Sequence, residues 1–307
     1  MTDRPIDLIA HTGPGVGAGH AMRCLALYKT LRQHGHSATL YSTDPAAAPD
    51  QFRRAGSGRW TAQKGKGLVV LDHRFGEVRS NLAAAIDRDR LVIIDDTAKD
   101  PVACQCVINP NPSFQNSDYR SWPAAIIKGG LDWIMIPEAF ERAFALDPEQ
   151  DTAVVSFGGS DDGSLAAKVC KLLADATPLQ MTVPVLSGQT LKSGVFDALK
   201  DRVDIKVDSD MAALLGGSEW FVGAAGQTAL QAMASGCRVV VAPTANDQHS
   251  AYLALLERGA SPLPDPIPGA VEAFWAECHY NKPSRVPIRS GLPRIAQFLK
   301  DLINDGS

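Results

Sequence analysis

Short apolar runs recur along this chain, each closed by an acid, an amide or a glycine turn and followed by a stretch of helical periodicity. In the first half, Ile6–Ala10, Ser37–Tyr41, Gly67–Asp72, Arg90–Asp96, Cys106–Asn109 and Ala125–Lys128 read as strands. After an acidic, helical-looking segment at 137–151 the pattern restarts with Thr152–Phe157, Met181–Val185, Val203–Val207, Glu219–Val222 and Arg238–Ala242. Helices are expected at 20–34, 164–173, 209–215, 226–235, 247–258 and 292–304, while Ser261–Pro268 is too proline-rich to be regular. Apolar runs of this kind, alternating with helices, mark mostly parallel sheets. The expected fold is therefore α/β, with two Rossmann-like domains facing across a cleft. The boundaries predicted are 1–149 and 150–307, with the last helix packing back on the N-terminal domain.

Composition narrows the function. A chain of 307 residues suits two cores, and 45% hydrophobic content supplies them. The net charge of −4 and the scatter of the basic residues argue against a nucleic-acid partner. No stretch approaches the roughly 18 apolar residues of a membrane span, and residues 1–5 lack the apolar core of a secretory signal. Six cysteines without framework spacing read as buried thiols rather than disulfides or metal ligands. A cytoplasmic monomer acting on a small molecule is expected, with neither metal nor cofactor.

Candidate chemistry gathers where strands end. Gly13, Gly15, Gly17 and Gly19 alternate through a turn that leaves the first strand and opens a helix at His20. Such a turn lets a ligand approach bare main chain and aims free N–H groups at an anion. The positive helix end disfavours an imidazolium, so His20 is expected to be a neutral proton acceptor. The glycines fit neither a dinucleotide fingerprint nor a Walker loop. Asp72, Asp95 and Asn109 stand at later strand ends in the same half. The second half adds Gly158-Gly159-Ser160, Ala225-Gly226-Gln227-Thr228, and Asn246 with Gln248. Each of these residue types is also common in turns and helix caps, so each has a purely structural alternative. Two glycine-lined turns in one half fit a diphosphate better than a single carboxylate.

These elements, taken in order, resemble a known family. The run Gly17-Ala18-Gly19-His20-Ala21-Met22-Arg23-Cys24, the pairs Asp72-His73 and Asp95-Asp96, Phe157-Gly158-Gly159-Ser160-Asp161 and the loop Gly223–Gly226 look like the UDP-sugar hydrolase of pseudaminic acid biosynthesis and the related spore-coat polysaccharide proteins. The resemblance, over about residues 6–260, implies the two-domain GT-B fold. It also implies water attack at the anomeric carbon of a UDP-linked diacetamido-trideoxy hexose with release of UDP. His20 would be the catalytic base, with Asp72 and Asp95 beside it. Gly17, Gly19, Arg74 and Asn109 would contact sugar or substrate, and Gly158, Gly159, Ser160, Ala225, Gly226, Gln227, Thr228, Gln231, Asn246 and Gln248 the nucleotide. The sequence departs from the family where Ile9 and His11 replace an Arg and an Asp, Arg74 a tyrosine, and Gln231 a ribose-binding glutamate. Those departures keep two alternatives open: a GT-B glycosyltransferase using a UDP-sugar donor, or a catalytically impaired nucleotide-sugar-binding protein.

Overall fold

The computed structural model describes residues 4–13, 16, 18–56, 58–61, 67–74, 76–144, 146–159, 161–186, 189–244, 248–264, 268–280 and 282–305. It divides into two compact units, Met1–Pro137 with Ser290–Ser307, and Glu138–Arg289. In chain order the first unit holds β1 (Ile6–Ala10), α1 (Gly19–Gln33), β2 (Ala38–Ser42), α2 (Asp50–Ala55), β3 (Leu68–Asp72), α3 (Glu77–Ala84), β4 (Leu91–Ile94), β5 (Cys104–Asn109) and β6 (Ala124–Gly129). The second holds α4 (Glu138–Ala143), β7 (Glu149–Ser156), α5 (Ser164–Ala176), β8 (Gln180–Val185), β9 (Val203–Val207), α6 (Met211–Gly216), β10 (Ser218–Ala224), α7 (Gln227–Ala234), β11 (Arg238–Ala242), α8 (His249–Leu256), β12 (Ser261–Pro262) and α9 (Pro268–Tyr280). The last helix, α10 (Leu292–Asp305), returns to the first unit.

Both sheets are parallel throughout. Their strand orders are β2-β1-β3-β4-β5-β6 and β12-β11-β10-β7-β8-β9. Beyond β2 a lone parallel bridge, Ser42 to Arg59, occupies the place of one more strand. Counted with it, each sheet grows first to one side of its opening strand and then to the other, which is the doubly wound pattern.

The absence of polar alternation in these strands has a direct reading in the core. Ile6, Leu8 and Ala10 of β1 pack with Cys24, Leu27 and Leu31 of α1 and Ile295 and Leu299 of α10. Ile9, Val69, Leu71 and Ile93 face the other way, toward Ala83, Tyr119 and Trp122. Both faces of the sheet are thus dry. In the second unit Val155, Val183 and Val222 pack with Val169, Leu173 and Trp275.

Several expectations need correction. The unit boundary falls at Pro137, not residue 149, because α4 buries Phe140 and Ala143 and packs on α6 and α7 of the second unit. The acidic segment does not stay helical to residue 151; α4 ends at Ala143 and β7 starts at Glu149. α2, α3 and α9 went unread. α9 begins on Pro268, where a missing N–H costs a helix nothing, so the proline that suggested irregularity opens a helix instead. Among the described residues no helix is long and apolar enough to cross a membrane.

Candidate functional site

In a doubly wound sheet the strands on either side of the opening strand send their connections to opposite faces, leaving a crevice at the carboxyl ends. In the first unit that point lies between β1 and β3, where Ala10 is opposite Asp72. His11 follows β1, and its N–H donates to the Asp72 carbonyl at 2.8 Å. The loop beyond is tied down by threonines: the Thr12 N–H donates to Thr43 Oγ1 (2.9 Å), and Thr43 Oγ1 donates to the Thr12 carbonyl (2.8 Å). The chain then enters α1, whose second residue is His20.

Asp72 is fully buried and is the hub of the site. His20 Nδ1 lies 2.7 Å from its Oδ1. Arg23 donates to the same carboxylate twice, Nε to Oδ2 at 2.5 Å and Nη2 to Oδ1 at 2.6 Å. The guanidinium also spans Asp96, Nη1 and Nη2 each reaching one oxygen at 2.8 Å. The Cys24 thiol donates to Asp72 Oδ2 at 3.6 Å. His20, Arg23 and Cys24 converge because residues three and four apart share a helix face. Burial alone would raise the Asp72 carboxyl. The Arg23 guanidinium and the hydrogen bonds overcome it and hold the group well below the usual carboxylate range. An ionised Asp72 only accepts, so the proton between it and His20 belongs to His20 Nδ1. When the ring is neutral the unprotonated nitrogen is then Nε2, the arrangement of a general base with an orienting carboxylate.

Two further imidazoles adjoin His20. His11 lies with its ring centroid 5.7 Å from that of His20, and stacks on His73 at 3.6 Å with 18° between planes. Desolvation, then the neighbouring His73 and His20, lowers His11 to about 4. His73 is lowered as well, mainly by burial. Its Nδ1 donates to the Arg74 carbonyl at 2.6 Å, leaving a buried Nε2 with no partner among the described residues.

Asp95 does not join His20 and Asp72, contrary to expectation. Its Oδ1 takes a hydrogen bond from Arg79 at 2.6 Å, and its Oδ2 takes bonds from the Thr97 and Ala98 N–H groups and the Tyr119 hydroxyl. Arg79 is itself fully buried and donates onward to the Lys99 and Asp100 carbonyls. The acid that reaches the site is Asp96. Asn109 is likewise held internally, its amide donating to Tyr119 Oη (2.7 Å) and its oxygen accepting from the Asn111 N–H (2.8 Å). Arg74 is exposed, and its N–H donates to His11 Nδ1 at 3.4 Å. Gly19 opens α1, and a Cβ there would meet nothing within 4 Å among the described residues.

The second unit presents main chain at the matching point, between β7 and β10. Gly223 is opposite Ser156, and a Cβ on Gly223 would lie 1.9 Å from the Ser156 carbonyl oxygen, so only glycine allows these strands to approach. Gly158 turns the chain with φ +89°, and a Cβ on Gly159 would meet Leu186 at 3.3 Å. Asp161 does not oppose an anion there: its carboxylate accepts from the Leu165 and Ala166 N–H groups and caps α5. Ala225 is buried, Gly226 precedes α7, Gln227 and Thr228 form its first turn, and Gln231 stands one turn on, half-buried. Gln248 accepts from the Thr244 N–H and hydroxyl at 3.0 and 2.9 Å, just ahead of α8. Gly17, Ser160 and Asn246 lie outside the described residues.

No protein-family model and no curated protein matches the sequence. Solved structures do. The chain is similar to CalG4, the calicheamicin glycosyltransferase, at TM-score 0.62 and 17% identity with 100% of each chain covered. It is similar to the spinosyn forosaminyltransferase SpnP at 0.64 and 12%, over 100% of this chain and 96% of that one. A third likeness is to S. aureus MnaA bound to UDP, at 0.62 and 12%, over 98% and 97%. The fold is GT-B. At these identities the likeness to GT-B enzymes is one of architecture, and the chemistry has to be read from this chain's own residues.

Reasoning from the sequence missed Arg23 and Asp96 as members of the site. The helical spacing of Arg23 from His20 was a usable signal. Nothing in the sequence distinguished Asp96 from Asp95, and His11 was visible only as a departure from the family pattern.

Proposed function

We propose that this protein transfers a glycosyl group from a nucleoside-diphosphate sugar, with His20 as the general base that takes the proton of the attacking oxygen. The observation that carries the reading is the His20 Nδ1–Asp72 Oδ1 contact of 2.7 Å at the switch point of the first sheet. Asp72 holds the ring in the tautomer with Nε2 bare, and Arg23 keeps Asp72 ionised. Proton removal by a positioned base of this kind is worth about 10²–10⁴-fold in rate. In the second unit we assign the diphosphate to the main chain of Gly158, Gly159 and Ser160 and of Ala225, Gly226, Gln227 and Thr228. Fixed N–H dipoles there would stabilise the departing charge. Gln231 is assigned to the ribose, and Asn246 and Gln248 to the nucleotide. Asp95 and Asn109 serve as supports that hold the loops after β4 and β5. The likeness to CalG4 and SpnP supports glycosyl transfer as the reaction class.

A second reading, hydrolysis with water as the attacking oxygen, has one observation in its favour. The spacing that resembles the pseudaminic acid pathway hydrolases places His20, Arg23 and Cys24 on one carboxylate. The test is release of nucleoside diphosphate from a panel of UDP- and TDP-sugars, with and without acceptor alcohols. Acceptor-dependent release identifies a transferase, and full release in water alone a hydrolase. Release that persists undiminished in His20→Ala removes the imidazole from the mechanism.

A further inference from the structure

The histidines at the first unit's switch point carry opposite polarity, and that assigns a job to a residue the base mechanism leaves idle. His11 Nδ1 accepts the Arg74 N–H at 3.4 Å, so its ring proton sits on Nε2. His20 is the reverse: its Nδ1–H is given to Asp72, and Nε2 is bare. No partner of His11 Nε2 is found among the described residues, and the ring is half-buried rather than enclosed. With ring centroids 5.7 Å apart, a donor and an acceptor stand on neighbouring rings at a spacing compatible with one oxygen atom bridging them.

We propose that His11 is a substrate-binding residue, a neutral imidazole whose Nε2–H donates to the attacking hydroxyl or water oxygen while that oxygen's own proton points to His20 Nε2. The proposal rests on the proposed function and deepens it, by specifying how the nucleophile is aimed. An attacking oxygen has both a proton to give and lone pairs to offer. One donor and one acceptor fix its orientation, leaving the remaining lone pair for the anomeric carbon. Neutrality matters, because a cation at position 11 would compete for the same oxygen and repel a positive His20 after proton transfer.

The surroundings keep His11 neutral. The groups facing it are the His73 ring stacked on it, the His20 ring, the Asp72 carboxylate and the Arg74 side chain. Of these only Asp72 favours a charge on His11; burial and the other three oppose it. His73, with its Nδ1–H donated to the Arg74 carbonyl, backs the ring and holds its plane.

The test uses the full chain and two variants. His11→Phe keeps an aromatic face on His73 and removes the donor; His11→Gln keeps a donor and removes the aromatic ring. Loss of one neutral hydrogen bond to the nucleophile predicts about a tenfold fall in kcat for His11→Phe. His11→Gln should recover part of the loss. Undiminished kcat in His11→Phe overturns the proposal. Long-range 1H–15N correlation spectra of the unliganded protein decide independently of activity. The expected His11 signature is a neutral ring protonated on Nε2 near pH 7, and a proton on Nδ1 overturns the proposal. If no nucleotide-sugar is turned over by the wild-type protein, the proposed function fails and the proposal about His11 falls with it, whatever the spectra show; turnover by the wild type with an Nδ1–H ring at 11 sinks the proposal alone.

Discussion

The two units are built on the same doubly wound sheet, yet their strand ends differ in kind. The first presents side chains: His20, Asp72 and Asp96 interlocked through Arg23, with His11 beside His20 and stacked on His73. The second presents main chain: a left-handed Gly158, the adjoining Gly159 and a Gly226 ahead of α7, with the nearby Asp161 turned away to cap α5. A titratable cluster suits steps in which protons move, because its groups can gain and lose charge. A rim of amides carries fixed dipoles that need no reorganisation when charge develops. One topology thus carries a half rich in titratable side chains and a half rich in turning main chain. The contrast lies wholly in which residues occupy equivalent strand ends.

Substitutions test that contrast directly, beginning with the hub. Asp72→Ala leaves a buried guanidinium short of half its acceptors and His20 unoriented. It should lower unfolding stability by about 3 kcal/mol and abolish turnover, seen in denaturant melts and product assays. His20→Ala should lower turnover by about 10²–10⁴-fold while the melt stays within about 1 kcal/mol of wild type. A large stability loss in His20→Ala would make it a structural residue and erase the functional half of the comparison. In the second unit, Asp161→Ala removes a cap and should cost about 1 kcal/mol, with nucleotide affinity by calorimetry little changed. A sharp fall in affinity would show that a side chain, not main chain, holds the anion there.

The smallest effect is in acid. The folded value of His11, about 4, is below its ordinary 6.5. Between those values the unfolded chain binds a proton that the native ring refuses, so stability falls as pH drops from 6.5 toward 4 and then levels. His73 acts in the same direction. The native Asp72 value is depressed, so its contribution is present above the ordinary carboxylate range and is lost only at lower pH. Thermal melts across pH 4–7 should slope in wild type and slope less in His11→Phe, ordering the first unit's groups by the pH at which each gives way.

Much of the fold was legible because buried parallel strands carry an unmistakable pattern: β4 reads Leu-Val-Ile-Ile with no polar partner face. The helices missing from the sequence reading are α2, which buries Phe52 alone, and α3, which buries Arg79 and Ala83, so neither shows an apolar face, and α9, masked by the proline that begins it. His20 and Asp72 were legible as strand-end and helix-start residues. The exchange of Asp95 for Asp96 was not, since neighbouring residues at the end of a strand point to opposite faces. A shift of one position swaps a buried support for a partner of Arg23. The internal hydrogen bond of Asn109 was hidden for a related reason: its partner Tyr119 approaches from a separate turn ten residues on.

The return of α10 to the first unit has a consequence for how the chain assembles. Ile295, Ala296 and Leu299 close the same core that β1 and α1 open, with the whole of 138–289 inserted between them. During synthesis the α1 side of the opening sheet therefore waits, unsealed, until residues 292–305 have emerged, whereas 138–289 has every piece of its own core beforehand. The later-made body is free to mature first. A chaperone that shields the unfinished face of α1, or a cut that severs residues 290–305, would be felt at His20 through the helix that carries it.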